Sequence, residues 1–194
     1  NKMKISIIPS IKEPYKNQLE YSIDVKLFKL INVCFPKCEI ISLTKSDKLN
    51  KKFKLLIISG GNTILNFSKS KKNKFRNLID ERFYKQAIKN KIPIFGICHG
   101  AQFLAKKIGG EFIKKKDVGT HKINLVKSNK IIRVNSYHNI VIKKISQNTK
   151  ILATSLDGSI EYFKKNKIIG IQWHPERYKN FKIFDKNIIR KICN

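Results

Sequence analysis

The chain has 194 residues, 41% of them hydrophobic and spread along its length, which excludes a disordered chain and predicts one domain over residues 1–194 with a sizeable core. It carries 42 Lys and Arg against 13 Asp and Glu, a formal charge of +29. That charge would suit nucleic acid or an anionic membrane, but only five of the bases are Arg (Arg76, Arg82, Arg133, Arg177, Arg190), so the lysines read as a solvated coat serving solubility or the attraction of an anionic substrate.

Met3 to Ile8 is short, apolar and β-prone, and it follows the opening Asn1-Lys2 directly, with no secretion signal visible. After a turn region from Pro9 to Pro14, the segment Gln18 to Phe35 places Leu19, Ile23, Leu27, Leu30 and Ile31 at near-helical spacing. Glu39 to Leu43 reads as a second strand. Leu55 to Ser59 is a continuous apolar run of the kind buried on both faces of a parallel sheet, ended by Gly60-Gly61-Asn62. Phe75 to Lys89 has helical spacing, Pro93 to Ile97 is another buried strand, and Ala101 to Ile108 a helix stopped by Gly109-Gly110. This order predicts an α/β fold with a mostly parallel sheet and helices on both faces.

Beyond Glu111 the pattern changes to short strands at Lys122 to Val126, Ile131 to Asn135, Ile140 to Ile142, Ile151 to Thr154, Ile160 to Phe163 and Ile168 to Trp173. Asp157-Gly158 and Lys165-Asn166 suit hairpin turns, and Phe181 to Ile192 suits a closing helix. The C-terminal portion is therefore expected to be β-rich. No run approaches the roughly 18 consecutive apolar residues of a membrane helix. Cys34, Cys38, Cys98 and Cys193 lack the paired spacing of a zinc site, so a reducing cytoplasm is the expected setting.

Chemistry concentrates first in Phe95-Gly96-Ile97-Cys98-His99-Gly100-Ala101-Gln102. A G-x-C-x-G at a strand-to-helix junction is the pattern of a nucleophile elbow, whose glycines allow a sharp turn that exposes the thiol above the sheet. The positive end of the following helix favours the reactive thiolate form. A buried structural cysteine in a glycine-containing turn would look similar.

The partner such a thiol needs is offered by Gly170-Ile171-Gln172-Trp173-His174-Pro175-Glu176, a strand ending on a histidine with a carboxylate two residues on. His174 can accept the thiol proton and return it to a leaving amine, while Glu176 fixes the imidazole tautomer. In Ile58-Ser59-Gly60-Gly61-Asn62 a glycine pair frees backbone N–H groups, so the Gly61 and His99 amides are candidates for an oxyanion hole.

The elbow with Gln102 and the His-x-Glu pair resemble the defining signature of class I glutamine amidotransferases, and the resemblance covers most of the chain. It implies a flavodoxin-like sheet, a γ-glutamyl thioester on Cys98, and Gln102 on the amino-acid end of the substrate. Val134-Asn135-Ser136-Tyr137-His138-Asn139 and Asp157-Gly158-Ser159-Ile160-Glu161 resemble the freestanding γ-glutamyl hydrolase branch. There an N-S-x-H stretch borders the active site, which makes Ser136, Tyr137 and His138, with Gly60 and Asn62, candidates to contact a γ-glutamyl group. That branch commonly has a second His or Gln where this chain has Asn139; the Asn form is most similar to hydrolases that release glutamate from γ-glutamyl-CDP-amidate in capsule phosphoramidate synthesis.

An amidohydrolase acting on a small γ-glutamyl substrate is the leading expectation, with no cofactor, no metal, no nucleic acid and no membrane. A glutaminase subunit feeding ammonia to a separate synthase would carry the same triad, although the N-S-x-H stretch argues against it. A basic binding module on an inactive scaffold would rest on the charge alone. His121 falls where the branch often has a histidine and reads as structural; Cys34, Cys38 and Cys193 read as unreactive thiols.

Overall fold

The computed structural model describes residues 2–193; Asn1, at the head of the opening segment, and Asn194 lie outside the described residues. Five strands pair in parallel: β1 (Lys4–Ile8), β4 (Glu39–Ser42), β5 (Phe53–Ile58), β6 (Ile94–Ile97) and β11 (Ile168–Ile171), in the spatial order β4-β1-β5-β6-β11. Ile7, Ile57, Phe95 and Ile169 stand side by side on four successive strands. Neighbouring residues point to opposite faces and both faces are apolar, which is why these strands read as continuous hydrophobic runs.

Each face is closed by helices. On one, Leu56, Ile58, Ile94 and Ile168 pack with Ile79, Phe83 and Ala87 of α2 (Lys71–Lys89) and with Ala101, Leu104 and Ala105 of α3 (His99–Lys107). On the other, Leu55, Ile57, Ile97 and Ile171 pack with Leu27, Leu30 and Ile31 of α1 (Val25–Cys34) and with Ile188 and Ile189 of α4 (Ile183–Arg190). Asp24 caps α1, its carboxylate accepting from the Lys26 amide at 2.8 Å. Burying a side chain the size of Phe95 stabilises the fold by about 1.5–3 kcal/mol, so this two-sided core holds the strand ends in register.

The rest of the sheet is antiparallel, which corrects the expected mostly parallel arrangement. Strand β10 (Ile160–Lys165) runs antiparallel to β11, and β8 (Lys130–Lys144), β7 (Glu111–Leu125) and β9 (Lys150–Ser155) continue the sheet to nine strands. The β-rich C-terminal portion is therefore an extension of the main sheet. Its largest unit is the β7–β8 hairpin, with 15 residues in each strand. Charged Lys114-Lys115-Lys116 hides the first half of β7 in the sequence, because both of its faces are largely solvated and no apolar alternation marks it.

The turn expected at Pro9 to Pro14, and the helix expected from Gln18, are instead a small hairpin of β2 (Ser10–Tyr15) and β3 (Gln18–Ser22). Asn17 supplies the positive φ of its turn, and Pro14 falls where the register shifts, as a residue without an N–H must. Helix α1 consequently begins only at Val25. Among the described residues, no helix is long and apolar enough to cross a membrane.

Candidate active site

Strands β5, β6 and β11 end level with one another, with Ile58 opposite Gly96 and Ile97 opposite Ile171. Each chain then turns sharply, and the three turns deliver Gly60-Gly61, Cys98 and His174 to one place. Cys98 has φ 50°, a left-handed backbone that non-glycine residues seldom adopt and that surrounding structure must impose. What imposes it is close packing: a Cβ on Gly100 would lie 2.0 Å from the Ile58 carbonyl oxygen, and one on Gly96 2.6 Å from the Gly100 carbonyl. The elbow thus presses its backbone onto β5, and only glycine fits.

His174 Nδ1 donates to the Glu176 carboxylate at 2.6 Å, since a carboxylate only accepts, and the other ring nitrogen is left for its partner Cys98. Burial alone would push the His174 pKa down, but Cys98 and Glu176 outweigh it and raise the imidazole to about 9. Gly60 lies against the same ring; a Cβ there would be 2.5 Å from His174 Cε1 and 3.4 Å from Cys98 Cβ. Glu176 sits in a short 3₁₀ turn, Pro175–Arg177, which brings a carboxylate two residues away back under the imidazole.

Cys98 and His174 open onto a cavity of about 390 Å³ that Gly61, Gln102, Tyr137 and His138 also line. Two cations, Lys114 and Arg177, stand in its wall. A second cavity of about 250 Å³ meets the first at Gly61, His174 and Arg177 and is walled by Ser10 and Lys12 of the β2–β3 hairpin. Arg177 lies over the Tyr137 ring at 4.4 Å, and that ring meets His174 edge-on at 5.5 Å.

Not every anticipated contact residue is turned toward the cavity. Ser136 is fully buried, outside the lining, and its hydroxyl donates to the Asp117 carbonyl. The Asn62 side chain reaches the lining, but its amide is engaged inside the protein with the Ile11 backbone N–H and carbonyl, Asn73 and Arg76. Gln102 Nε2 donates to the Ile140 carbonyl at 2.9 Å. Gly60 borders the second cavity, and Gly61, at φ 99°, borders both.

Two supporting features escaped the sequence reading. Asn135 holds the His174 backbone from both sides, its Nδ2 donating to the His174 carbonyl and its Oδ1 accepting from the His174 amide, each at 2.8 Å. Behind the elbow, the His99 side chain points away from Cys98 to Asp80 at 2.8 Å, and Asp80 pairs with Arg76 at 2.8 Å. Arg76 in turn donates to the Ser59 carbonyl at 2.7 Å, so one buried chain ties the elbow to the glycine turn. Burial opposes the Asp80 charge, but Arg76 and His99 overcome it and hold that carboxyl below its usual range. The signal available in advance was Arg76 and Asp80 at i, i+4 on the inward face that also carries Ile79 and Phe83.

A third cluster, Asp117, His121, His138 and Glu161, lies on β7, β8 and β10. Burial raises the Cys34 and Cys193 thiols to about 11 and pushes Cys38 above its ordinary value.

The family model for glutamine amidotransferase class-I matches residues 18–192. Over 127 residues the chain is 34% identical to a gamma-glutamyl-CDP-amidate hydrolase of Campylobacter jejuni, covering 64% of this chain and 62% of that protein. It is 34% identical over 115 residues to one subunit of the glutamine-hydrolyzing GMP synthase of Sulfurisphaera tokodaii, covering 54% of this chain and 58% of that one. The matched segments thus span less than two thirds of these relatives' own lengths. A glutamine amidotransferase from Thermotoga maritima superposes with TM-score 0.68 at 18% identity, covering 91% of this chain and 77% of that one, and so shares the fold.

Proposed function

Since the chain belongs to the glutamine amidotransferase class-I family, we propose that it is a cysteine-dependent amidohydrolase that cleaves a γ-glutamyl amide. The observation that carries this reading is the convergence of Cys98 and His174 on one cavity, both within 3.4 Å of where a Gly60 Cβ would lie, with His174 Nδ1 2.6 Å from the Glu176 carboxylate. Cys98 Sγ, its proton passed to His174, attacks the γ-carbonyl carbon, and the developing oxyanion is met by the backbone amides of Gly61 and His99. His174 gives its proton to the nitrogen as the C–N bond breaks, leaving a γ-glutamyl thioester on Cys98. It then takes a proton from water as the water oxygen attacks the thioester carbonyl, and returns that proton to Cys98 Sγ as the C–S bond breaks, giving glutamate and the free thiol.

His99 starts α3, where the first N–H groups of a helix have no intrahelical partner, so an amide directed at an oxyanion is the natural use of that position. Gln102 and Tyr137 are assigned to the γ-glutamyl group, with His138 forming the cavity wall behind it and Gly60 and Gly61 shaping the space beside it. Ser136 and Asn62 support the walls from behind through their internal hydrogen bonds. No cofactor enters this sequence of steps.

For the leaving group, Lys114 and Arg177 favour one that carries phosphate. With the similarity to the Campylobacter hydrolase, this supports γ-glutamyl-CDP-amidate as the specific substrate proposed, and a place in surface-polysaccharide synthesis is proposed with it. The similarity to part of a GMP synthase favours a second reading, a glutaminase whose ammonia passes to a separate synthase. Purified protein assayed alone separates the two. Glutamate release from a γ-glutamyl phosphoramidate, faster than from glutamine, is the expected result; glutaminase activity appearing only on addition of a synthase would establish the second reading instead.

A further inference from the structure

Only 13 residues of this strongly basic chain are acidic, yet Asp117, Asp157 and Glu161 gather at one place with two of the four histidines. Asp117 on β7 and His138 on β8 are direct cross-strand partners, and Glu161 comes from β10. One donor atom from each of Asp117, His138 and Glu161 lies within 4.8 Å of the others. His121 stands beside them, its Nδ1 2.9 Å from Asp117 Oδ1 and its Nε2 3.5 Å from Glu161 Oε1.

The hydrogen-bond bookkeeping here is incomplete. Glu161 is 0% exposed; among the described residues its Oε2 has no hydrogen-bond partner, and its Oε1 meets His121 Nε2 in a long ion-pair contact of 3.5 Å, while His138 is 4% exposed and neither of its ring nitrogens has a well-formed hydrogen bond. Beyond that long contact, His121 Nε2 makes no hydrogen bond among the described residues. Of the nearby cationic side chains, Lys115 is committed to Asp157, and His121 is shared between Asp117 at 2.9 Å and Glu161 at 3.5 Å. A fully buried carboxylate met by one long contact is under-satisfied and costly, and natural folds leave such groups mainly where something else completes them.

We propose that Asp117, His138 and Glu161 bind one divalent transition-metal ion, zinc or manganese, with His121 bracing Asp117. Two carboxylates neutralise a dication, and an imidazole nitrogen among the donors selects a transition ion over calcium or magnesium. A histidine bonded to a ligating carboxylate is the usual way such a ligand is held in place. Because the four residues lie on three strands, no linear spacing announces the site. His138 also lines the cavity with Cys98, so the ion would fix that wall of the cavity without taking part in the thiol chemistry.

The test uses the full chain with Cys98→Ser, which removes the thiol as a competing ligand, stripped with chelator and titrated with Zn²⁺ by calorimetry and with Co²⁺ by visible absorption. One ion per chain and cobalt bands in the visible are expected. Glu161→Gln and Asp117→Asn should each weaken binding by well over tenfold, and His121→Asn by about tenfold. No stoichiometric binding, or binding unchanged in Glu161→Gln and Asp117→Asn, overturns the site. Should those variants fail to fold, imidazole NMR signals decide: shifts of His121 and His138 on zinc addition support the site, and unmoved signals overturn it.

Discussion

The side-chain amide of Asn135 makes both of its 2.8 Å hydrogen bonds to the backbone of a single residue, His174. A strand from the antiparallel half of the sheet thereby fixes the imidazole that belongs to the parallel half. Asn135→Ala leaves a buried amide and carbonyl unpaired, at about 1–3 kcal/mol in stability. Misplacing the base by a fraction of a ring width should lower kcat on a γ-glutamyl amide by roughly 10²-fold. Denaturant unfolding together with steady-state kinetics checks both; unchanged kcat in a folded Asn135→Ala would remove the clamp from the mechanism.

Gly60 and Gly100 are both close-contact glycines, but a methyl at each meets a different obstacle. At Gly100 it meets the Ile58 backbone at 2.0 Å, so Gly100→Ala must part the elbow from β5 and should cost more than about 3 kcal/mol or prevent folding. At Gly60 it meets the His174 ring. Gly60→Ala should therefore melt within a few degrees of the parent while losing most of its activity, read from paired melting curves and turnover.

Asp80 and Arg76 are both 0% exposed. Asp80→Asn strands a buried guanidinium and should cost about 3–5 kcal/mol, whereas replacing both by apolar residues of similar volume should recover much of that loss. Because the folded-state pKa of Asp80 is lowered, its contribution is present above the ordinary value of 3.8 and is lost as pH falls through the lower folded value. The acid limb of the stability profile should flatten in the double variant; an unaltered limb would assign acid unfolding to other carboxylates.

His174 gives the opposite sign. Its folded pKa, about 9, lies above the ordinary 6.5, so the stability it contributes is complete below pH 6.5 and is lost as pH rises through 9. The kcat/KM profile should fall on its alkaline side near pH 9. Glu176 is one of the contacts that raises His174, so Glu176→Gln should move that limb to lower pH. A limb that stays in place would mean that Glu176 does not act through the imidazole.

How far the sequence discloses this molecule depends on what each segment buries. Leu55 to Ser59 and Pro93 to Ile97 are legible as strands because both faces are apolar, and the chemistry is legible because glycine, cysteine, histidine and glutamate fall at the strand ends. The first half of β7 is not, since a solvated strand with Lys114, Lys115 and Lys116 shows no period. The β2–β3 hairpin hides for a related reason: Leu19 and Ile23 continue the spacing of α1 although Asn17 turns the chain before them. Asn135, Asp80 and the Asp117–His138–Glu161 cluster work through partners distant in the chain, and no local pattern records such pairings.

The central assignment is a covalent γ-glutamyl intermediate on Cys98, and intact-protein mass spectrometry after rapid acid quench addresses it most directly. Mixed with excess γ-glutamyl amide, the chain should gain the mass of one glutamyl group, mapped by digestion to the peptide holding Cys98, while Cys98→Ala gains nothing and releases no glutamate. A Cys98→Ala chain that keeps its fold and still releases glutamate at the parent rate would contradict it.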